Sequence, residues 1–246
     1  TDHSSGLYNT YPDIDSDKKY RAWMEYYDNK NNTSFALNTQ MKRGGNWTRC
    51  YPCRTINLNF NKDENGNPTK EPYDEAGYMD IAPLDRCENI RREITLTIER
   101  MGLTPERSHH ERGPGQNEID FHFGKPMKAA DQLTTYKMVV STIADRNGLI
   151  ADFSPMPLSD KPGNGYHINI YATDRDGNDV VKYVAAGIMD VIRDITIFLN
   201  PTDASYTRFG NSTAPDKVSW SNEGDSELMY VEPYMGRVRA ELRSPD

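Results

Sequence analysis

A chain of 246 residues carrying 29 Lys and Arg against 37 Asp and Glu, with a formal net charge of −8, is long enough to bury a core as one large domain or two modest ones. Charges of both signs are interleaved without a basic stripe, which argues against a nucleic-acid partner. No apolar run approaches the roughly 20 residues that cross a bilayer, and Thr1-Asp2-His3-Ser4-Ser5-Gly6 lacks the apolar region of a signal peptide, so the chain reads as soluble with no membrane partner.

The polar opening and the stop at Arg243-Ser244-Pro245-Asp246 read as the ends of a piece cut from a longer protein. Residues 1–75 are polar and turn-rich: Tyr20 to Tyr27 is expected as a short helix, and Thr55-Ile56-Asn57-Leu58-Asn59-Phe60 alternates as a half-buried strand does. Cys50 and Cys53 have the spacing of half a zinc site or a redox pair. No second pair completes it, and with Cys87 they read as structural or incidental thiols in a reducing compartment.

From Asp85 the pattern sharpens. Asp85 and Glu88 read as a capping box, Ile90, Ile94, Ile98 and Met101 repeat on one helical face, and Gly102 stops the helix. Leu103 to Glu111 reads as a strand, and in Glu118 to Phe123 strict alternation gives Ile119, Phe121 and Phe123 one face and Glu118, Asp120 and His122 the other. A second helix runs from Pro126 along Ala129, Leu133, Tyr136, Val140 and Ile143 to Gly148. Strands at Leu149 to Phe153 and Tyr166 to Tyr171 follow, the latter with His167, Asn169 and Tyr171 on one face. A third helix from about Val180 ends at Asn200-Pro201, and strands return at Val218 to Trp220, Leu228 to Val231 and Arg237 to Arg243. The sum is an α+β domain: a curved antiparallel sheet with the three helices packed on its outer side, residues 1–76 forming a polar hairpin and loop region and 77–246 the core.

Glu111 and Glu118 flank the Gly113-Pro114-Gly115 turn, so two carboxylates can converge on one hard cation. His167, behind Gly163-Asn164-Gly165, and Glu241, between Arg239 and Arg243, lie on polar strand faces, where charges need shared partners. The arginines and Arg208 suit anionic groups. These four residues, Glu111, Glu118, His167 and Glu241, are expected to gather on one sheet face as a metal and phosphate centre.

In order, His109-His110-Glu111, Gly115-Gln116-Asn117-Glu118, Gly163-x-Gly165-x-His167, Asn200-Pro201-Thr202 with Ser205-Tyr206-x-Arg208, and Arg239-x-Glu241-x-Arg243-x-Pro245-Asp246 resemble the catalytic domain of the glutamine synthetase family. The resemblance runs from about Gly77-Tyr78 to Asp246 and includes Lys128-Ala129-Ala130-Asp131 and Tyr136-Lys137. It implies ATP as co-substrate, Mg²⁺ or Mn²⁺, and phosphorylation of a glutamate γ-carboxylate followed by attack of an amine. Glu111 and Glu118 would hold one metal, and His167 and Glu241 the second. Gly163, Arg208 and Arg243 would bind the amino-acid substrate; Glu106, Phe123 and Arg239 would lie at the nucleotide; Tyr78 would stand near the ammonia pocket. It further implies a cytoplasmic protein of nitrogen metabolism that forms a homo-oligomer at full length.

The chain also departs from the family. Its Glu-x-Glu strand, which supplies one ligand to each metal, is expected upstream of Thr1, as is its N-terminal domain, and the helical C-terminal part is missing after Asp246. The flap glutamate that takes a proton from ammonium is Thr213, and the arginine-rich segment beyond it reads Ser221-Asn222-Glu223-Gly224-Asp225-Ser226. The asparagine usual in the glycine loop is Pro162, and the histidine two residues past His167 is Asn169. The leading expectation is a diverged γ-glutamyl ligase acting on glutamate or a similar acid and an amine, inactive as this piece alone. The alternatives are a catalytically degenerate nucleotide- or metal-binding regulator and an unrelated metal-dependent hydrolase.

Overall fold

A computed structural model of the chain describes residues 19–28, 33–42, 47–61, 63–67, 69–122, 124–211, 214–223, 227–232 and 236–243. It forms two compact units, Thr1–Asn46 and Trp47–Asp246. In the first, β1 (Lys19–Asp28) and β2 (Thr33–Lys42) pair antiparallel along their whole length, from Lys19 opposite Lys42 to Asp28 opposite Thr33. This corrects the helix expected at Tyr20 to Tyr27. Tyr20, Trp23, Tyr26 and Tyr27 have strand propensity, and the ladder to β2 satisfies the backbone groups that a helix would otherwise pair internally.

The second unit is built on an eight-stranded sheet. Its order is β4 (Pro105–His110), β5 (Gln116–Phe121), β3 (Trp47–Asn61), β7 (Tyr166–Thr173), β10 (Arg237–Arg243), β9 (Met229–Glu232) and β8 (Trp220–Ser221), with β6 (Leu149–Asp152) also paired to β3. All pairings are antiparallel except the short β8–β9 contact. β3 holds the sheet together. Its Trp47–Arg54 half pairs with β7, Thr55–Asn57 with β5, and its last residues with β6.

Three helices cover one face of this sheet: α1 (Glu88–Arg100), α2 (Pro126–Arg146) and α3 (Val181–Leu199). Ile90, Ile94 and Ile98 of α1 and Tyr136, Val140 and Ile143 of α2 pack with Ile119 and Phe121 of β5 and Leu149 of β6. Val181, Ala185 and Ile192 of α3 pack with Ile170, Met229, Val231, Val238 and Ala240. Each full burial of such a side chain is worth about 1.5–3 kcal/mol. Because strand residues alternate, the partners of these apolar residues, Glu118, His167, Asn169, Arg239 and Glu241, belong to the opposite face. Helix ends follow the glycines: Gly102 and Gly148 have φ of +89° and +75°, a region costly for residues with a Cβ.

The expected capping box is not formed. α1 begins at Glu88 with Cys87 as N-cap and no side-chain cap bond. Asp85 instead accepts from the Cys87 amide at 2.9 Å and is ion-paired, fully buried, with Arg91 at 2.5 Å. Met101, expected on the apolar stripe, is the C-cap residue and is exposed. Among the described residues no helix is long and apolar enough to cross a membrane.

Candidate metal centre

The β4–β5 hairpin turns through Pro114-Gly115, with Gly115 at φ +62°, the proline-then-positive-φ order that type II turns favour. The Gln116 amide donates to the Gly113 carbonyl at 2.9 Å, and the Glu111 amide to the Gln116 carbonyl at 2.7 Å. Behind the turn sits Asp74, whose carboxylate accepts from His110 Nε2 at 2.9 Å and from the amides of Gly115 and Arg86, each at 2.9 Å. His110 Nδ1 lies 2.6 Å from the Glu111 carbonyl, which can only accept, so both ring nitrogens face acceptors and the surroundings favour the protonated ring beside Asp74.

Burial alone would raise Asp74 and lower His110. Their mutual bond and the backbone partners outweigh it, so Asp74 lies below its ordinary 3.8 and His110 above its ordinary 6.5. A depressed carboxyl stabilises the fold above its unfolded value and loses that on acidification; a raised histidine stabilises below its unfolded value and loses that as pH rises. The stabilisation by this pair is therefore greatest between pH 3.8 and 6.5. Asp74→Asn, which leaves a buried imidazolium unpaired, is expected to lower stability by about 3–5 kcal/mol in that window and by less at pH 8, read from melting temperatures across pH.

In front of the turn, His109, Glu111 and Glu118 bring one ligand atom each within 4.8 Å of one another. His109 Nε2 is 3.6 Å from Glu118 Oε1, and the Tyr78 ring meets the His109 ring edge-on at 5.5 Å. Glu118 is pushed up to about 7, first by burial and then by the neighbouring carboxylates of Asp120 and Glu111, against the lowering bond from His109. A half-buried carboxylate that takes a proton at neutral pH is one that a divalent cation can recharge, so these residues fit a metal.

The second expected pair also meets. His167 Nε2 is 3.5 Å from Glu241 Oε1, and Arg239 reaches the same oxygen at 3.2 Å. β3 runs between the two groups. Thr55 is opposite Glu118 and Cys53 opposite His167; paired residues share a face, as do residues two apart, so both groups lie on one face of the sheet. Strand spacing of about 4.8 Å puts β5 and β7 about 10 Å apart across β3. The strand between the two groups is β3, and its register positions opposite Glu118 and His167 are Thr55 and Cys53.

Gln116, a position of the Gly115-Gln116-Asn117-Glu118 motif with no role assigned from sequence, joins the turn to the glycine loop. Its Oε1 accepts from Gly113 at 3.0 Å, and its Nε2 donates to the Gly163 carbonyl at 3.0 Å and to Asn164 Oδ1 at 3.1 Å. A Cβ on Gly163 would stand 2.6 Å from the Pro155 carbonyl oxygen, 3.1 Å from Met156 Sδ and 3.6 Å from Arg208 Cβ. Gly163→Ala is accordingly expected to shift the loop and cost about 1–3 kcal/mol in urea unfolding. Arg208 is buried at the end of a short 3-10 helix, Asp203–Arg208, capped by reciprocal Thr202–Ser205 bonds. Gly163 and Arg208 are thus brought together. Glu106 is instead held by His122 at 2.6 Å, and Tyr78 is an exposed neighbour of His109 with the Arg112 guanidinium 5.9 Å from its ring. Phe123, Thr213, Asp225 and the side chain of Arg243 lie outside the described residues.

A helix-backed antiparallel sheet with carboxylates, imidazoles and an arginine gathered on its open face defines an α+β domain with one clustered polar site. The family model for the glutamine synthetase catalytic domain matches residues 31–246, and the chain belongs to that family. It is 40% identical over 202 residues to glutamine synthetase of Methanosarcina mazei, covering 76% of this chain and 45% of that protein. Against glutamine synthetase of Clostridium saccharobutylicum it is 40% identical over 201 residues, with the same coverage of 76% and 45%. The chain therefore spans about half the length of the curated relatives it matches. Its fold is that of Plasmodium falciparum glutamine synthetase, with a TM-score of 0.68 at 17% identity over 98% of this chain and 62% of that one. A GmaS/ADP complex superposes with a TM-score of 0.66 at 21% identity over 80% and 50%.

Proposed function

We propose that this chain forms the core of an ATP- and divalent-metal-dependent acid–amine ligase of glutamine synthetase type. The observation that carries the proposal is the placement of His109, Glu111 and Glu118 on the same sheet face as His167, Glu241 and Arg239. Glu111 and Glu118 would hold one cation, and His167 and Glu241 the other; bound there, Mg²⁺ or Mn²⁺ would supply charge neutralisation for phosphate oxygens. Arg239, at the rim of the second group, faces the nucleotide phosphates. Gly163 packs its loop against Arg208 where the amino-acid substrate binds, and Arg208 and Arg243 pair with that substrate's carboxylates. The γ-carboxylate oxygen of that substrate attacks the terminal phosphorus of ATP as the bond to ADP breaks; the amine nitrogen then bonds to the acyl carbon, phosphate leaves, and the amine proton passes to phosphate or solvent. Glu106 and Phe123 would border the nucleotide and Tyr78 the amine. Glutamate is the expected acid, and homo-oligomeric assembly belongs to the same reading.

Incubation with Mn²⁺ or Mg²⁺, ATP, glutamate and a panel of amines should release ADP and phosphate only when a suitable amine is present. No release with any amine, although ATP binds, would leave the second reading: a degenerate member that binds nucleotide and metal without turnover. The occupancy of the inter-group strand by Thr55 and Cys53, neither a carboxylate, favours that reading.

A further inference from the structure

The first cation group contains a residue to which neither its turn nor its carboxylates assign a role. His109 is placed by β4 directly opposite Glu118 in register, and its ring is partly buried between Glu118 and Tyr78. His109 Nδ1 lies 3.0 Å from the His110 carbonyl oxygen. A carbonyl has no proton to give, so Nδ1 keeps its hydrogen, and Nε2 is the nitrogen that would give up its proton to present a lone pair to a cation. Nε2 is the atom that faces Glu118, within 4.8 Å of the ligand atoms of Glu111 and Glu118. An imidazole whose far nitrogen donates to a backbone carbonyl while the near one joins two carboxylates has the arrangement of a metal-ligating histidine. On the other side of Glu118 the register position is Thr55, which brings no carboxylate to complete an all-oxygen set.

We propose that His109 is the third protein ligand of the cation held by Glu111 and Glu118, making this a nitrogen-containing site that selects imidazole-accepting divalent cations such as Mn²⁺ or Co²⁺ over Mg²⁺. The inference rests on the metal assignment of the proposed function and narrows it. Magnesium gains little from a nitrogen donor, whereas affinity for the later first-row cations rises with it. His109 thereby sets which cation the turn keeps.

The test is electron spin-echo spectroscopy of Mn²⁺ bound to the 246-residue chain, without nucleotide, in a His167→Asn background that removes the other candidate nitrogen. Nitrogen modulation from one histidine is expected to persist in that background, to change on ¹⁵N-histidine labelling, and to vanish when His109→Asn is added. Mn²⁺ affinity should fall by at least about tenfold in His109→Asn while Mg²⁺ affinity changes little. His109→Gln is the second variant if the asparagine chain fails to fold, and circular dichroism checks both. Absence of nitrogen modulation in the His167→Asn chain, or its survival without His109, overturns the inference. Amine-dependent ADP release without a His109 signal would sink this inference alone; a His109 signal without any ADP release would sink only the ligase reading.

Discussion

Glu118→Gln is expected to remove cation binding at the β4–β5 turn while making the cation-free chain more stable at pH 8. The two effects have one cause. Burial holds the Glu118 carboxyl near 7, so in the absence of a cation it is largely protonated below neutrality. A carboxyl raised above its unfolded value favours the folded chain while it is protonated, and that contribution is lost as pH rises from its ordinary 4.5 through about 7. Glutamine keeps the shape of the neutral acid and never ionises, so the melting temperature of the variant should exceed that of the parent at pH 8 and match it near pH 5. The same glutamine cannot give a cation the negative oxygen it requires, and Mn²⁺ affinity by calorimetry should drop by about 100-fold or more. For the parent chain the proton must leave before the cation enters, so affinity should climb with pH up to about 7 and flatten beyond. A variant that loses stability at pH 8 but keeps its Mn²⁺ affinity would contradict both halves.

Arg91→Met is expected to be the most damaging single change away from the open face. Arg91 is 4% exposed on α1, and its guanidinium takes both oxygens of Asp85, at 3.0 and 2.5 Å. It also donates to Ser108 of β4 at 3.2 Å and to Asn117 of β5. Methionine fills the volume but leaves the Asp85 carboxylate buried without its cation, a loss of about 3–5 kcal/mol in urea unfolding. Adding Asp85→Asn to Arg91→Met should recover part of that loss, because the uncompensated charge is gone. Equal stability of the single and double variants would mean that the pair does not carry the energy assigned to it.

Much of this architecture could be read from the residues in order. The three helices have regular apolar stripes closed by Gly102, Gly148 and Asn200-Pro201, and the open faces of β5, β7 and β10 follow from strict alternation. What escaped the reading was non-local. The aromatic run of β1 resembles a short helix until β2 supplies its ladder. Asp85 looks like a helix cap until Arg91, six residues later, claims its oxygens inside the core. Asp74 belongs to no motif and Gln116 has no role legible within its own, because each acts through bonds to residues 36 to 48 positions away. His109 was legible only as half of a His-His pair; its distinction from His110 lies in direction, one ring turned toward the open face and the other toward Asp74.

The Gln116 side chain has a consequence of its own. One amide is bonded at its oxygen to the β4–β5 turn and at its nitrogen to the Gly163-Asn164 loop, two residues before Glu118. It acts as a crossbar rather than a wall. A displacement of either segment that breaks one end of the amide strains the other, so an occupant of the loop and a cation at the turn should each alter the affinity of the other by the same factor, whichever arrives first. Shortening the bar with Gln116→Asn would uncouple the two and leave each to bind as though the other were vacant.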